Sequence, residues 1–370
     1  MISGKVFKTL FALTVAIAVV TAGCVGFILG YEYVLEQNDR LDKLQRGMLT
    51  ITEQTPGARM IVVPRGSDTG DIADILADAD IIGNKMLFNL LSKINGFDGT
   101  YLAGTHYVTP ELSYDEIMYL LSQQPKSVEV TFKEGLSYLQ VKQTLTEAGV
   151  LFDEIVLDRL VNRPALFTEY DFVAQIPSGS GRQYALQGYL FPDTYKFDKN
   201  TDEQDIIDKF LSNSDQKLAD AYYEAAARRG LTMDQVITLA SIIEKESSSL
   251  ADMQVVAGVF YNRMRSSDPS MQYLQSCATI NYLREQQGLD PVLVVSDQDM
   301  AVTSPYNTYR NPGLPPGPIC SPGLDAIQAA LYPDSHGYYY FVADGEGNNV
   351  YARTLAEHEA NIAQYYPATP

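Results

Sequence analysis

"LASIIEKESSSLADM", residues 239–253, starts as an apolar run and then sets Glu244, Lys245, Glu246 and Ser247 side by side within about one helical turn. Val236, Ile237, Leu239, Ala240, Ile242 and Ile243 make this helix apolar on nearly every side, the pattern of a helix buried in a domain core. An ionised carboxylate is costly to bury, so a Glu ending such a helix either pairs with a base or keeps its proton towards neutral pH. Residues two apart on a helix diverge by about 200°, so Glu244 and Glu246 cannot serve one site together. Periodicity does not choose between them: Glu246 continues the Leu239, Ile242, Ile243 face and Glu244 the Ile237, Ala240 face.

The rest of the chain bounds what such a group could do. Its 370 residues, 46% apolar, are enough for two or three domains with real cores. A net charge of −19 without clustered Lys and Arg argues against nucleic acid as a partner. Twenty-five tyrosines and no tryptophan offer aromatic surface that can stack on sugar rings while donating a hydrogen bond, though structural tyrosines account for the count equally well.

Lys5 and Lys8 precede an apolar stretch from Leu10 to Leu29, long enough to cross a bilayer and longer than the core of a cleaved signal peptide. Residues 1–8 are therefore expected to be cytoplasmic and 9–30 to form a single membrane-spanning helix. Glu32, Glu36 and Asp39 follow, so the bulk of the chain is expected outside the cytoplasm. Thr21-Ala22-Gly23-Cys24 resembles a lipoprotein cleavage site, but the apolar run continues past Cys24. Cys277 and Cys320 are the only thiols beyond the anchor, where oxidation is permitted, and are candidates for a disulfide. Their spacing fits no zinc site, and His106, His336 and His358 are scattered, so no metal is expected.

Residues 31–57 read as a charged juxtamembrane stalk. From 58 to 127 the order is strand ("MIVV"), a helix capped by Ser67 or Asp68, a second helix ("NKMLFNLLSKI"), an extended piece, and a helix starting near Ser113 with Glu116 as its capping-box partner. Residues 128–183 repeat strand, Gly turn and helix as a bridging α+β segment, closed by the loop "PSGSGRQ" (177–183), which reads as a flexible connection. The remainder, 184–370, is rich in helix formers, with a long amphipathic stretch ending at Gly230. The fold class expected is α+β.

Several ordered motifs then resemble one family. "LQGYLFPDTYKF" (186–197), "LASIIEKES", "VVAGVFYNRM", "YNTYRNPGLPPGPICSPG" (306–323) and "YYYFVADGEGNNVYARTLAEHEANI" look like the endolytic murein transglycosylases, the YceG-like family, and "LAGTHYVTP" fits that family's small LysM-like domain. The resemblance implies a LysM-like unit at 58–127 and a catalytic domain at 184–370. It also implies cleavage, without water or cofactor, of the β-1,4 bond between N-acetylmuramic acid and N-acetylglucosamine in peptidoglycan strands, leaving 1,6-anhydromuramyl ends. Partners implied are the glycan strands, the cell membrane, and peptidoglycan synthases or division and elongation proteins.

By the same resemblance Glu246 is the acid/base, with Glu244 and Ser247 in supporting positions. Tyr306, Asn307, Tyr309, Tyr189 and Gln275 are the candidate substrate contacts, with Asp193 and Tyr195 weaker ones. His358 matches a His of the family's C-terminal helix and is read as structural. The chain departs from the family pattern at Gln187, commonly Glu, and in "LQSCATINY" (274–282), where Cys277 stands for an acid and Ala278 for a proline. A Cys277–Cys320 bond would be a substitute restraint. A glycan-binding scaffold without activity and a water-using muramidase remain the competing readings.

Overall fold

Apolar side chains collect into two separate cores, one within residues 1–127 and one within 128–370. The computed structural model describes residues 4–64, 66–177, 179, 181–198, 201–344 and 347–366, and within its first helix the side chains of 4–13, 16, 29 and 31–34 lie outside the described residues.

In the first unit a long helix, α1 (Gly4–Gln45), is followed by β1 (Arg59–Val63), α2 (Thr69–Asp78), α3 (Lys85–Ile94), β2 (Gly104–Val108) and α4 (Tyr114–Leu121). β1 and β2 pair antiparallel with Ile61 opposite His106, and Ile61, Ile72, Leu76, Phe88, Ile117 and Leu121 fill the space beneath them. Asp68 and Ser113 close α2 and α4 with capping boxes, satisfying N–H groups the helices leave open. Glu116, fully buried, also pairs with Arg40 of α1 at 3.0 Å, and Leu44 and Ile51 enter the same core. The stretch read as a stalk therefore packs as part of this unit. Residues 9–30, expected to span a membrane, lie within α1. Several of their side chains fall outside the described residues, and among the described residues no helix is long and apolar enough to cross a membrane.

The second unit contains β3 (Ser127–Thr131), α5 (Tyr138–Glu147), α6 (Glu154–Val161), α7 (Asp171–Ala174), β4 (Thr194–Asp198), α8 (Glu203–Lys217) and α9 (Asp220–Arg229). It continues with α10 (Met233–Glu246), α11 (Leu250–Met264), α12 (Cys277–Glu285), α13 (Asp297–Met300), α14 (Leu324–Leu331), β5 (Tyr340–Ala343), β6 (Asn349–Ala352) and α15 (Leu355–Tyr365). Gly230 stops α9 in the left-handed conformation at φ 75°, which glycine adopts without a Cβ penalty. One core runs from Val130 to Leu331, so Phe132 and Phe172 pack in the same interior as Phe197, Phe210 and Phe260. α10 crosses its centre against α11 and α14, and residues 236–243 are all buried. The architecture is α+β, rich in helix, with two-stranded sheets β1–β2, β3–β4 and β5–β6.

Candidate active site

α10 ends where its apolar sequence ends. Ser247 leaves the helix in extended conformation (φ −153°, ψ 156°), and the carbonyl of Glu246, which a longer helix would have satisfied, instead accepts the Asn349 amide of β6 at 3.0 Å. Asn349 also donates to Asp252 at 2.8 Å. The helix end is thus held by a neighbouring strand, and Glu246 leaves it at a defined angle.

The two glutamates go to different places. Glu244 accepts the Gly323 N–H at 3.0 Å, close to Glu134. Glu246 opens into a cleft of about 1040 Å³ and accepts the Ser276 hydroxyl at 2.5 Å, with the Ala278 N–H near enough to favour its charged form. Tyr309, Cys277, Arg263, Tyr340 and His358 line the same cleft. Glu244 does not.

Burial raises the proton affinity of Glu246, and the Ser276 hydroxyl and Ala278 N–H oppose that shift by stabilising the carboxylate. The group is half-buried, able to hold a proton and able to lose it. Glu244 is pushed up to about 7, first by burial and then by the charge of Glu134, with the Gly323 N–H acting against both. A raised folded value means that native protein keeps a proton between about 4.5 and 7 that the unfolded chain has lost. That contribution is complete below 4.5 and disappears as pH rises through 7. Glu244→Gln keeps an acceptor for Gly323 and is expected to reduce the stability lost between pH 5 and 8, by on the order of 1 kcal/mol, in urea midpoints taken at the two values.

Around the carboxyl, Arg263 of α11 is buried. It donates to the carbonyls of Tyr273 at 2.8 Å and Tyr339 at 3.1 Å and to the Gln275 side chain, with its guanidinium 5.4 Å from the Tyr340 ring centre. His358 of α15 stacks on the same tyrosine at 5.2 Å, and burial with the Arg263 charge lowers its proton affinity. Arg263, Tyr340 and His358 thus form a guanidinium, phenol and imidazole stack along one wall. The sequence reading assigned none of them to the cleft. For Arg263 the signal was present: a lone cation in "VVAGVFYNRM" poses the same burial question as Glu246.

Of the substrate contacts read from sequence, Tyr309 and Gln275 line the cleft. Tyr309 bonds the Cys277 thiol at 3.2 Å, and Gln275 sits in the left-handed region at φ 54°. Tyr189, Tyr306 and Asn307 do not line it. Tyr189 is buried and donates to Asp234 at 2.7 Å, Tyr306 packs on Tyr282, and Asn307 gives its amide to the carbonyls of Met300 and Val302. Asp193 is engaged by Asn213 and Lys217, and the Tyr195 hydroxyl by the Phe191 carbonyl. Ser247 donates to Asp252 at 2.7 Å, bracing the α10–α11 turn.

The expected disulfide is not formed. Cys320 is buried with its thiol on the Ser241 carbonyl at 3.1 Å, inside α10's turns, whereas Cys277 faces the cleft and Tyr309. The two thiols are turned to opposite surroundings. Thiol titration of denatured, unreduced protein is expected to find all three cysteines free; a count of one would restore the bond.

Residues 61–364 match the profile of the YceG-like family. The chain belongs to this family. It is 30% identical over 370 aligned residues to the endolytic murein transglycosylase of Streptococcus pneumoniae, covering 95% of this chain and 64% of that protein. It is 31% identical to the endolytic murein transglycosylase of Bacillus subtilis, covering 82% and 84% respectively. A crystal structure of a YceG-like protein of Listeria monocytogenes superposes with a TM-score of 0.55 at 27% identity, over 82% of this chain and 99% of that one. The chain spans about two thirds of the S. pneumoniae relative's length.

As a YceG-like chain it handles its departures locally. Gln187 accepts the Tyr138 N–H at 3.1 Å and donates to the Pro318 carbonyl at 2.8 Å, a bridge that a carboxylate, having no donor, could not complete. Ala278 contributes an N–H to Glu246 that a proline lacks.

Proposed function

We propose that this chain is a membrane-anchored endolytic lytic transglycosylase of peptidoglycan, with Glu246 as its single acid/base. The observation that carries the reading is the placement of carboxylates. Those lining the cleft, among the described residues, are Glu246, Glu285 and Asp290. Glu246 bonds the first turn of α12, while Glu285 is its last residue and the Asp290 carbonyl binds Arg284 beside it. Eight steps of helix put the two ends about 12 Å apart. Two-carboxylate glycosidases hold their pair about 5–9.5 Å apart, so backbone positions spaced this far support one carboxyl serving both halves of this reaction. Asp252, near in sequence, is occupied by Ser247, Asn349 and Tyr351.

A single carboxyl suffices if the nucleophile belongs to the substrate. Protonated Glu246 gives its proton to the glycosidic oxygen as the C1–O bond breaks. The carboxylate then takes the proton of the C6 hydroxyl as O6 bonds C1, which closes the 1,6-anhydro ring and returns Glu246 to its starting state. The raised proton affinity of Glu246 supports the first half, and its two donors support the second. The Tyr340–His358 stack offers a flat apolar face for a sugar ring.

The apolar composition of residues 9–30 supports an anchor there with the bulk of the chain extracytoplasmic, and the motif "LAGTHYVTP" supports a LysM-like reading of the first unit. Synthases and division or elongation proteins are the partners such a position implies. Mass spectrometry of products from isolated glycan strands tests the reaction: anhydromuramyl ends are expected. Reducing ends would replace it by a muramidase, and no cleavage by a binding scaffold.

A further inference from the structure

We infer that Ser276 is the positioning residue that lets one carboxyl act first as acid and then as base, an assignment that rests on the acid/base reading of Glu246. Ser276 stands at the N-cap of α12 (φ −83°, ψ 124°), where a serine normally turns its hydroxyl back onto its own helix. Here it makes no such bond; its hydroxyl goes to Glu246 instead. The carboxyl of Glu246 lies at the positive end of this nine-residue helix, where the Ala278 N–H favours its charged form.

The serine is buried and its backbone is held on both sides. It is 3% exposed, its N–H is held by the Thr308 hydroxyl at 3.1 Å, and its carbonyl accepts the Thr279 hydroxyl at 2.8 Å. Thr279 and Thr308 bond each other at 2.9 Å, closing a buried hydroxyl cluster behind it. Gln275, immediately before, takes the left-handed conformation and donates its N–H to the Thr308 carbonyl at 3.2 Å, so the backbone leading into Ser276 is also fixed. An alcohol can donate and accept. It donates to Glu246 as carboxylate and can accept from it as acid, so the carboxyl keeps one orientation through both proton transfers. The other ionisable groups facing this carboxyl are Cys277 of α12 and Tyr309 from the 306–323 segment. Arg263 of α11 stands behind Tyr309, and Lys245 precedes Glu246 on α10.

Removing the hydroxyl removes a stabiliser of the charged form, so the proton affinity of Glu246 must rise. The test is carboxyl ¹³C NMR titration of the full chain, with the Glu246 signal assigned by its loss in Glu246→Gln. In Ser276→Ala the midpoint is expected to move up by about one to two pH units, the size of one hydrogen bond to a charged group. Ser276→Thr, which keeps an alcohol, is expected to titrate as the native protein does. In kinetics the high-pH limb of kcat/KM moves up with the Ala variant and kcat falls about tenfold or more at unchanged KM, with recovery in Thr. A wild-type midpoint in Ser276→Ala, or a Thr variant that behaves like Ala, overturns the assignment. The titration needs no turnover, so its failure is distinct from a failure of the transglycosylase reading, which product analysis decides.

Discussion

Glu246→Gln is expected to lower the rate of glycan-strand cleavage by about 10²–10⁴-fold while strand binding and thermal stability stay close to native. Glutamine keeps the shape and can still accept the Ser276 hydroxyl and Ala278 N–H, but it has no proton to give the leaving oxygen. The same change at Glu244, which faces Gly323 away from the cleft, is expected to leave the rate within a few fold. Release of anhydro-ended fragments from purified strands, followed for both variants, checks this; equal losses would mean the two carboxyls act as one unit, which their divergence on α10 excludes.

The second large effect is structural and lies in a segment that looks like a linker. Arg182, in the loop before Leu186, is 3% exposed in its side chain and pairs at 2.5 Å with Asp234 in the first turn of α10, itself 5% exposed. It also donates to the Pro316 carbonyl at 2.9 Å, so one guanidinium joins the start of α10 to the Pro/Gly segment 312–318. Arg182→Ala leaves Asp234 buried with the Tyr189 hydroxyl as remaining donor, and is expected to cost about 3–5 kcal/mol. Breaking a buried pair from one side strands the other charge, which replacing both does not. Arg182→Met with Asp234→Leu is therefore expected to recover much of the loss, and urea midpoints of the single and double variants measure the difference.

Local signals were legible where the controlling interaction is local. The Ser113–Glu116 capping box, the turn at Gly230 and the all-round apolar stretch 236–243 appear in the structure at the residues that carry the pattern, since each depends on neighbours within a helical turn or two. Polar groups whose partners are distant in sequence were not legible. Tyr189 has the chemistry of a sugar contact, yet an acceptor 45 residues away is as good a use for a phenol, and only the packed chain brings Asp234 to it. The loop "PSGSGRQ" has linker composition, and nothing within it announces that Arg182 closes a buried ion pair 52 residues away. Cys277 and Cys320 pass the test of compartment and number, but a bond needs their Cβ atoms face to face, and the fold turns them apart.

The sequence by itself determined that a buried helix ends in carboxylates, that the two glutamates must diverge, and that the ordered motifs around them are those of the YceG-like family. Only the tertiary structure decided which glutamate faces the cleft, because Leu239 and Ile237 are equally apolar sides of a helix buried all round. What separates the two faces is what packs on them. The Gly323 N–H meets one, and the start of α12 with Ser276 meets the other, from segments that lie 79 and 30 residues further along the chain.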